Sequence, residues 1–376
     1  MSNPKRITTI VLTVIMLVFA ITGCGQAPAQ QPNTSSAPAP ATNSSATQPA
    51  QESKAPVEED WKPNRPISIV VGFAAGGGVD TMARVLATEM SKYLNADVIV
   101  ENMPGAGSGT AAEYALNNEA DGYTLLAVSS AAATYAAMDN SNATYNEMDM
   151  LGIMVLSEPA FEVPANSPYK TMDDLIQAWK TEKTTAANAG NGGLWHIPQL
   201  IALSKAGADI NNVSFVPYSS GKEDATAIAK GEVDWGVTGA FMESAEFVKN
   251  GMSRALCIFS DKPYEIPGYG TLEPITKFIP EITADDISAG AGWRGIVIKK
   301  GAPENVYKTL EKALKAAYES DAFKELMQSN GLIPAGVFGK EANDAYEYTS
   351  RLQSWLLYDL GFANRSPDEV NVPRLK

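Results

Sequence analysis

Short apolar runs that end at glycine alternate with amphipathic stretches along most of this chain. Residues 67–72 (ISIVVG) form one such run, which is typical of a strand buried on both faces. Apolar side chains at helical spacing follow over residues 80–94, and a second strand-like run occupies residues 97–101. A repeated strand–helix order is typical of parallel sheets covered by helices. We therefore predict an α/β fold, and at roughly 150 residues per domain the 376 residues suffice for two domains.

The charge balance of the chain is acidic, with 43 Asp and Glu against 29 Lys and Arg and a net charge of −14. Nucleic-acid binding needs a basic face that releases counterions, so this class of partner is excluded. The chain has two cysteines, Cys24 and Cys257, which excludes a disulfide framework and a cysteine-rich metal site. His196 is the single histidine, which excludes the usual histidine-based zinc and iron sites. We predict neither a metal nor a cofactor.

The first 23 residues have the organisation of a bacterial export signal. Lys5 and Arg6 precede an apolar run over residues 7–22, which is short for a membrane span. The run ends in Ile-Thr-Gly-Cys24, which resembles the lipobox, where cleavage precedes a cysteine that becomes acylated. We predict a signal peptide over residues 1–23, lipidation of Cys24 and an extracytoplasmic protein anchored to a bacterial membrane. The alternative is an ordinary signal peptide in which the cysteine is incidental.

Residues 24–60 join this cysteine to the first predicted strand. Between residues 25 and 58 the sequence has six prolines, no aromatic residue and a single branched aliphatic residue, Val57. Such a composition buries too little apolar surface to offset the entropy lost on ordering. We predict a disordered tether rich in Pro, Ala, Ser and Gln, with the folded part beginning at Trp61.

Three glycine-rich segments lie between a predicted strand and the helix that follows it. In the first, residues 72–80 (GFAAGGGVD), consecutive glycines can aim backbone N–H groups at an anion, and the helix start favours negative charge. We interpret Asp80 as the N-cap of this helix. The pattern matches neither a dinucleotide-binding fingerprint nor a phosphate-binding P-loop. A tight turn without a ligand is the alternative.

The other two glycine-rich segments are residues 100–109 and residues 189–196. For residues 100–109 a structural role in turn geometry and packing is favoured over direct binding. Residues 189–196 (AGNGGLWH) repeat the features of the first loop and precede a helical stretch over residues 199–206. Two glycine-rich helix starts that face each other across a cleft would hold an anion by backbone dipoles, without lysines.

Candidate catalytic residues are few. His196 is the only candidate general base, no G-x-S-x-G nucleophile motif occurs, and a histidine beside Trp195 is more typical of a packed or hydrogen-bonded pocket residue. Cys257 lies in an apolar run, which indicates an inert core thiol. The acidic pairs at residues 173–174 and 285–286 indicate solvated helix starts rather than acid–base pairs. We predict that the protein is not an enzyme.

Five ordered motifs resemble the substrate-binding family of tripartite tricarboxylate transporters, also called Bug receptors. They are residues 65–80, 100–107, 121–126, 216–221 and 231–236. The resemblance implies a monomeric receptor of the periplasmic-binding-protein-like (Venus flytrap) fold, with two domains, each a mostly parallel sheet flanked by helices, and a cleft between them. Domain 1 would contain residues 61–160 and 286–376, and domain 2 residues 161–285. The expected role is to deliver a small carboxylate to the membrane permease subunits of such a transporter.

The resemblance also implies which residues form the ligand site. In the family the first loop binds a ligand carboxylate through backbone N–H groups and ordered waters. The matching positions here, together with those of the other segments that line the cleft, are Phe73, Ala74, Ala75, Gly76, Gly77, Gly78, Ser129, Ser130, Gly190, Asn191, Gly192, Trp195, His196, Tyr218 and Thr238. The sequence departs from the family pattern at Ala74 and Ala75, where prolines are usual. It also departs at Trp195, whose bulk favours a different or partly apolar ligand.

Two other functions are alternatives to the transport receptor. The same ligand-binding fold serves in sensors that dock onto a membrane signalling protein, and the sequence alone does not separate these roles. An enzyme acting on a small organic acid is disfavoured because no general-base cluster is present. Tricarboxylates, dicarboxylates, aromatic acids and amino acids are all candidate ligands.

Overall fold

The computed structural model describes residues 60–157, 159–239, 243–266 and 269–375. The predicted signal peptide, the lipidation site Cys24 and all of the predicted tether except Asp60 lie outside the described residues. Residues Asp60–Lys376 group into one compact unit.

Thirteen β-strands form among the described residues. They are β1 (Ile67–Val71), β2 (Val98–Asn102), β3 (Thr124–Ser129), β4 (Met148–Ser157), β5 (Pro159–Pro164), β6 (Thr184–Asn188), β7 (Val213–Pro217), β8 (Trp235–Gly239), β9 (Ser253–Ile258), β10 (Tyr264–Ile266), β11 (Gly270–Leu272), β12 (Gly292–Lys299) and β13 (Ile333–Phe338). β10 and β11 form a separate two-stranded ribbon.

Ten α-helices lie in the same ranges. They are α1 (Gly78–Leu94), α2 (Gly109–Asn117), α3 (Met172–Thr181), α4 (His196–Lys205), α5 (Gly221–Lys230), α6 (Ala245–Lys249), α7 (Ala284–Gly290), α8 (Glu304–Tyr318), α9 (Asp321–Ser329) and α10 (Gly339–Asp359). Within the described part of the chain, none of them combines the length and the apolar character that a membrane span requires.

The first large sheet contains six strands in the order β13-β4-β12-β3-β1-β2. β1 runs parallel to β2 and β3, whereas β12 is antiparallel to β3 and β4, and β13 is antiparallel to β4. The parallel register pairs Ile69 of β1 with Val100 and Leu125. The carboxyl ends of these strands lie at one edge of the sheet, which brings together the loops that follow them.

The second large sheet contains five strands in the order β7-β6-β8-β5-β9. β6 is parallel to β7 and β8, and β5 is antiparallel to β8 and β9. The predicted α/β class is confirmed, but both sheets are mixed where mostly parallel sheets were expected. The difference has a topological cause: strands joined through a crossover helix run parallel, whereas β5 and β12 reach their sheets by a crossing from the other sheet.

The two sheets draw on different parts of the chain. The strands of the first come from residues 67–157 and 292–338, and those of the second from residues 159–258. The first crossing therefore falls between β4 and β5, so the predicted boundary after residue 160 lies inside β5. The limits of the two domains otherwise stay a prediction.

Several helix starts follow from local sequence. Thr171 and Asp174 form a capping box at α3, and Thr283 and Asp286 form another at α7, so each side chain satisfies a backbone N–H that has no partner in the helix. The acidic pairs at residues 173–174 and 285–286 begin helices, as predicted.

Each sheet has its own apolar core. In the second core, the rings of Phe161, Trp179 and Trp235 lie with centroids 5.0–6.2 Å apart. Helix α10 enters both cores, because Tyr346 packs in the first and Leu357 in the second. Its 21 residues thus connect the two sheets along one side of the molecule.

Candidate ligand-binding site

The first glycine-rich loop connects β1 to α1. Gly76 has a φ of +81°, and the helix begins at Gly78 with Gly77 as its N-cap. The sequence predicted Asp80 as the N-cap, and this prediction is wrong: Asp80 is the third helical residue. Glycines allow the backbone to turn into the helix early, so that the start of α1 lies closer to β1 than expected.

Asp80 stabilises this loop from its buried side. Its carboxylate accepts hydrogen bonds from the backbone N–H of Gly76 at 2.8 Å and from Asn102 Nδ2 at 2.8 Å, and it pairs with Arg84. Burial alone would raise the pKa of Asp80, but the hydrogen bonds from Arg84, Gly76 and Asn102 together hold that pKa below its ordinary value. An ionised Asp80 therefore fixes the loop and has no oxygen aimed at a ligand.

We expect Asp80→Asn to lower the free energy of unfolding by about 1–2 kcal/mol, since it weakens a set of charge-assisted hydrogen bonds. Urea unfolding at neutral pH measures the change. Asp97→Asn is the control, because Asp97 is exposed just before β2. An equal loss in both variants would show that the buried contacts of Asp80 have no special weight.

The second loop, residues 105–108, packs against the first. Gly105 and Gly107 have φ values of +141° and +57°. A Cβ atom at Gly72 would lie 2.0 Å from Ser108 Oγ, which in turn forms a 2.8 Å hydrogen bond with the hydroxyl of Tyr135. Only glycine fits at residue 72, because any side chain would push the two loops apart.

The third loop, residues 189–195, reaches across from the second sheet. Gly190 has a φ of +96°, and a Cβ atom there would lie 3.0 Å from the Cα atom of Gly107. Thr134 Oγ1, which follows β3, donates a 2.8 Å hydrogen bond to the carbonyl oxygen of Gly192. The loops of the two sheets are therefore in direct contact, as the predicted cleft requires.

His196 begins α4 and orients the third loop. Its Nδ1 accepts a 2.9 Å hydrogen bond from the N–H of Gly192, and its ring lies edge-on to Phe215 and Phe362 at 4.5 and 5.5 Å. Burial lowers the pKa of His196 to about 3, so the imidazole is neutral at physiological pH. The side chain positions the loop and has no access to solvent.

A chamber of about 340 Å³ lies between the three loops. None of the described residues that line it carries a charge, so a ligand there meets backbone groups, hydroxyls and amides. Its lining consists of Gly72, Phe73, Gly105, Ala106, Gly107, Ser108, Asn140, Ala189, Gly190, Asn191, Pro217, Tyr218 and Ser219. We call it the uncharged chamber.

A second, smaller chamber of about 20 Å³ lies beside the first and shares Phe73 and Ala189 with it. Its lining includes one acid, Glu243, and one base, Arg294, and we call it the charged chamber. The other lining residues are Gly77, Gly78, Val79, Ser129, Leu194, Trp195, Ser220 and Gly221.

The acid and the base form an ion pair between the two sheets. Arg294 on β12 places Nη2 2.5 Å from Oε1 of Glu243, which follows β8, and only 1% and 3% of these side chains are exposed. The guanidinium lies 5.8 Å from the ring centre of Trp195. Burial raises the pKa of Glu243, and the charge of Arg294 opposes the rise. Neither residue was predicted as part of the site, although a lone arginine inside the apolar run of β12 was a detectable signal.

Thr238 faces away from both chambers. Its hydroxyl donates a 2.8 Å hydrogen bond to Glu162 Oε1, and Ser244 and Ser253 donate to the same carboxylate. Burial raises the pKa of Glu162 to about 7 despite these hydrogen bonds. Within the described ranges, no group of three or more His, Cys, Asp or Glu side chains is arranged to hold a metal ion.

The structure brings eight of the fifteen predicted site residues to the two chambers. They are Phe73, Gly77, Gly78, Ser129, Gly190, Asn191, Trp195 and Tyr218. The others lie in the adjoining segments without lining either chamber: Ala74, Ala75, Gly76, Ser130, Gly192, His196 and Thr238. Ala74 nevertheless joins the two sheets, because its N–H donates to the carbonyl oxygen of Ser219 at 3.2 Å.

The helix start that faces the first loop was not predicted. A Cβ atom at Gly77 would lie 3.2 Å from Cβ of Ser220, the N-cap of α5, whose hydroxyl accepts from the N–H of Glu223 at 3.3 Å. The starts of α1 and α5 therefore approach each other across the cleft. The predicted partner, α4, contributes Trp195 just before its first turn.

Two α/β sheets whose glycine-rich loops meet around a central chamber define a periplasmic-type solute-binding protein. The model of the tripartite tricarboxylate transporter family receptor, TctC, matches residues 82–348. The chain belongs to this receptor family, and the family implies an extracytoplasmic location.

Curated relatives agree with this assignment. Protein BugT of Bordetella pertussis is 29% identical over 291 residues, which cover 74% of this chain and 84% of the relative. The "UPF0065 protein in gbd 5′region" of Cupriavidus necator is 29% identical over 316 residues, which cover 82% of this chain and 91% of the relative.

Solved structures share the fold. The periplasmic binding protein BugD superposes with a TM-score of 0.69 at 22% identity, covering 80% of this chain and 99% of that chain. MatC of Rhodopseudomonas palustris, solved with bound malate, gives a TM-score of 0.66 at 21% identity, with coverage of 78% and 99%. A further R. palustris protein, solved with adipate, gives 0.70 at 20% identity, with coverage of 81% and 99%. These likenesses confirm the predicted two-domain, periplasmic-binding-protein-like architecture.

Proposed function

We propose that the protein is an extracytoplasmic receptor that captures a small organic acid in its cleft and delivers it to the permease of a tripartite tricarboxylate transporter. The observation that carries the proposal is the uncharged chamber, which is lined by three glycine-rich loops from both sheets together with Asn140 and residues 217–219. Membership of the receptor family supports it, as do the malate and adipate bound by the two R. palustris proteins.

The uncharged chamber suits a carboxylate even though it has no lysine or arginine. Backbone N–H groups in turns and at helix starts carry partial positive charge and can bind an anion directly or through water. The hydroxyl of Tyr218 and the amides of Asn140 and Asn191 add hydrogen-bonding groups around the same space. The net charge of −14 does not prevent this, because charges beyond about 10 Å are screened by salt.

A receptor releases its ligand unchanged, and the candidate nucleophile and base are unsuited to chemistry. Burial lowers the pKa of His196 to about 3 and raises that of the Cys257 thiol well above its ordinary value. A buried thiol of this kind is not a nucleophile at neutral pH.

Thermal unfolding of the mature protein against a panel of tricarboxylic, dicarboxylic, aromatic and amino acids tests the proposal. A ligand at 100 times its dissociation constant adds about 2.7 kcal/mol, which raises the midpoint by roughly 5–10 °C. The protein is first refolded to remove any acid carried through purification. A flat response across the whole panel would refute binding of small organic acids.

We also propose that the receptor is held at the membrane by lipid on Cys24, as its lipobox-like sequence suggests. We expect Cys24→Ser to leave the protein unacylated, so that it appears in the soluble envelope fraction or uncleaved at the membrane. Mass spectrometry of the intact protein detects the acyl mass and its loss. Cys257→Ser is the matched control. If the acyl mass persists in Cys24→Ser, lipidation of Cys24 is contradicted.

A further inference from the structure

The carboxylate of Glu243 lies in a cradle made of glycines. A Cβ atom at Gly78 would lie 2.5 Å from Glu243 Oε1, one at Gly221 would lie 2.9 Å from Cγ, and one at Gly239 would lie 2.0 Å from Oε2. Gly78 and Gly221 are the first residues of α1 and α5. The charged chamber is thus shaped around a carboxylate at two converging helix starts, with Arg294 beside it.

Two buried carboxyl groups of this region have oxygens that accept no hydrogen bond from the described residues. Oε1 of Glu243 pairs with Arg294, but no described group donates a hydrogen bond to Oε2. Asp224, on α5, is fully buried, and neither of its carboxyl oxygens has a donor in the described part of the chain. Asp224 does not line the charged chamber, and burial together with the negative charge of Glu243 raises its pKa. Buried acceptors normally have a donor, so the unpaired Oε2 of Glu243 in the charged chamber points to a donor that arrives with the ligand.

We infer that the charged chamber receives the head group of an α-amino acid or a similar zwitterion. This inference rests on the proposed receptor function and specifies its substrate class. The ammonium group donates to Oε2 of Glu243, and the carboxylate binds Arg294 and the N–H groups at the start of α1. The remainder of the ligand passes Phe73 and Ala189 into the uncharged chamber.

A second carboxylate is a poor fit for the same place, because it would add acceptors beside Oε2 of Glu243, which already has no donor among the described residues. A zwitterionic head group supplies one charge of each sign, which matches the Glu243–Arg294 pair. The chamber of about 20 Å³ has room for little more than one water molecule. Head-group binding therefore requires the two sides of the chamber to move apart.

The test uses acids matched in length that differ only in the amino group: L-glutamate with glutarate, L-aspartate with succinate and L-norvaline with pentanoate. Isothermal titration calorimetry on the mature protein measures each dissociation constant. We expect at least one amino acid to bind about tenfold or more tightly than its unsubstituted partner, as a charge-assisted hydrogen bond predicts.

The variant Glu243→Gln then assigns the preference to its residue. We expect it to weaken amino-acid binding by about tenfold and to strengthen dicarboxylate binding, because Arg294 loses its internal partner. Glu246→Gln is the matched control, since Glu246 is exposed on the adjacent helix α6. If Glu243→Gln does not fold, Glu243→Asp serves instead, because it keeps the charge but withdraws the carboxylate by one methylene group.

The outcomes separate the inference from the function on which it rests. Tighter binding of dicarboxylates than of amino acids by the unaltered protein would overturn the zwitterion inference and leave the organic-acid receptor standing. An amino-acid preference that survives in Glu243→Gln would overturn the role of Glu243. Absence of binding by every acid in the panel would refute both.

Discussion

We expect Arg294→Gln to lower the free energy of unfolding by about 3–5 kcal/mol, because it leaves a buried carboxylate without its counter-charge. In the folded protein Arg294 and Glu243 lie 2.5 Å apart, and 1% and 3% of their side chains are exposed. Removing both charges together relieves most of that penalty. The double variant Arg294→Gln/Glu243→Gln is therefore expected to be more stable than Arg294→Gln alone, as urea unfolding measures.

A surface ion pair provides the control for this result. Arg65 pairs with Asp121 at 2.8 Å, but 59% and 38% of these side chains are exposed. Exposed pairs contribute about 0–1 kcal/mol, so Arg65→Gln should change stability little. Additive losses in the double variant would show that Arg294 and Glu243 are not energetically coupled, which would contradict the structure.

Glu162 should make the protein less stable as pH rises from about 4.5 to 7, whereas His196, which burial keeps neutral with a pKa of about 3, acts in the opposite sense below about pH 6.5. Burial raises the pKa of Glu162 to about 7 from its ordinary value of 4.5, so in this window the folded state holds a proton that the unfolded state has lost. The stabilisation is complete below the unfolded pKa and disappears as pH rises through the folded pKa. A shift of this size corresponds to about 3 kcal/mol.

Glu162→Gln should remove the contribution of Glu162 to this pH dependence and make the protein more stable than wild type at pH 8. Glutamine stays neutral, and its Oε1 can still accept hydrogen bonds from Thr238 and Ser244 while its Nε2 donates to the hydroxyl of Ser253. The slope that remains combines the falling contributions of Asp224 and Glu243, whose pKa values burial raises, with the rising contribution of His196. Urea unfolding between pH 4 and pH 8 measures the slopes, with the exposed Glu265→Gln as control. An unchanged slope in Glu162→Gln would show that Glu162 does not titrate in this range.

The alternation of strands and helices was predictable because a continuous apolar run and a 3.6-residue periodicity are local signals. β1, α1 and β2 lie within two residues of their predicted limits. β13 (IPAGVF) was missed because Pro334 and Gly336 disfavour a strand in isolation, and pairing with β4 overrides that preference. α5 was missed because its buried face is made largely of small residues, Gly221, Ala225 and Ala227.

The candidate site was only partly predictable, for a related reason. Glycine-rich turns after strands are visible in sequence, and the three loops do meet around one chamber. Arg294 and Glu243 are 51 residues apart and come from different sheets, so their pairing depends on the three-dimensional crossing of the chain. The contact of Asp80 with Asn102, 22 residues away, likewise depends on the fold and is not visible in local sequence.

Helix α10 carries a mechanical consequence for ligand entry. Its Tyr346 packs in the first core and its Leu357 in the second. Gln353 Nε2 donates a 2.7 Å hydrogen bond to the carbonyl oxygen of Ala289, which belongs to the second core. Because α10 packs in both cores, it cannot follow both of them if they rotate relative to each other. Its contacts at one end must therefore slide or break as the cleft widens. Part of the free energy of opening is therefore spent on contacts of α10 that lie outside both chambers. We expect substitutions at these contacts of α10 to change the affinity for every ligand alike and to leave the preference among ligands unchanged.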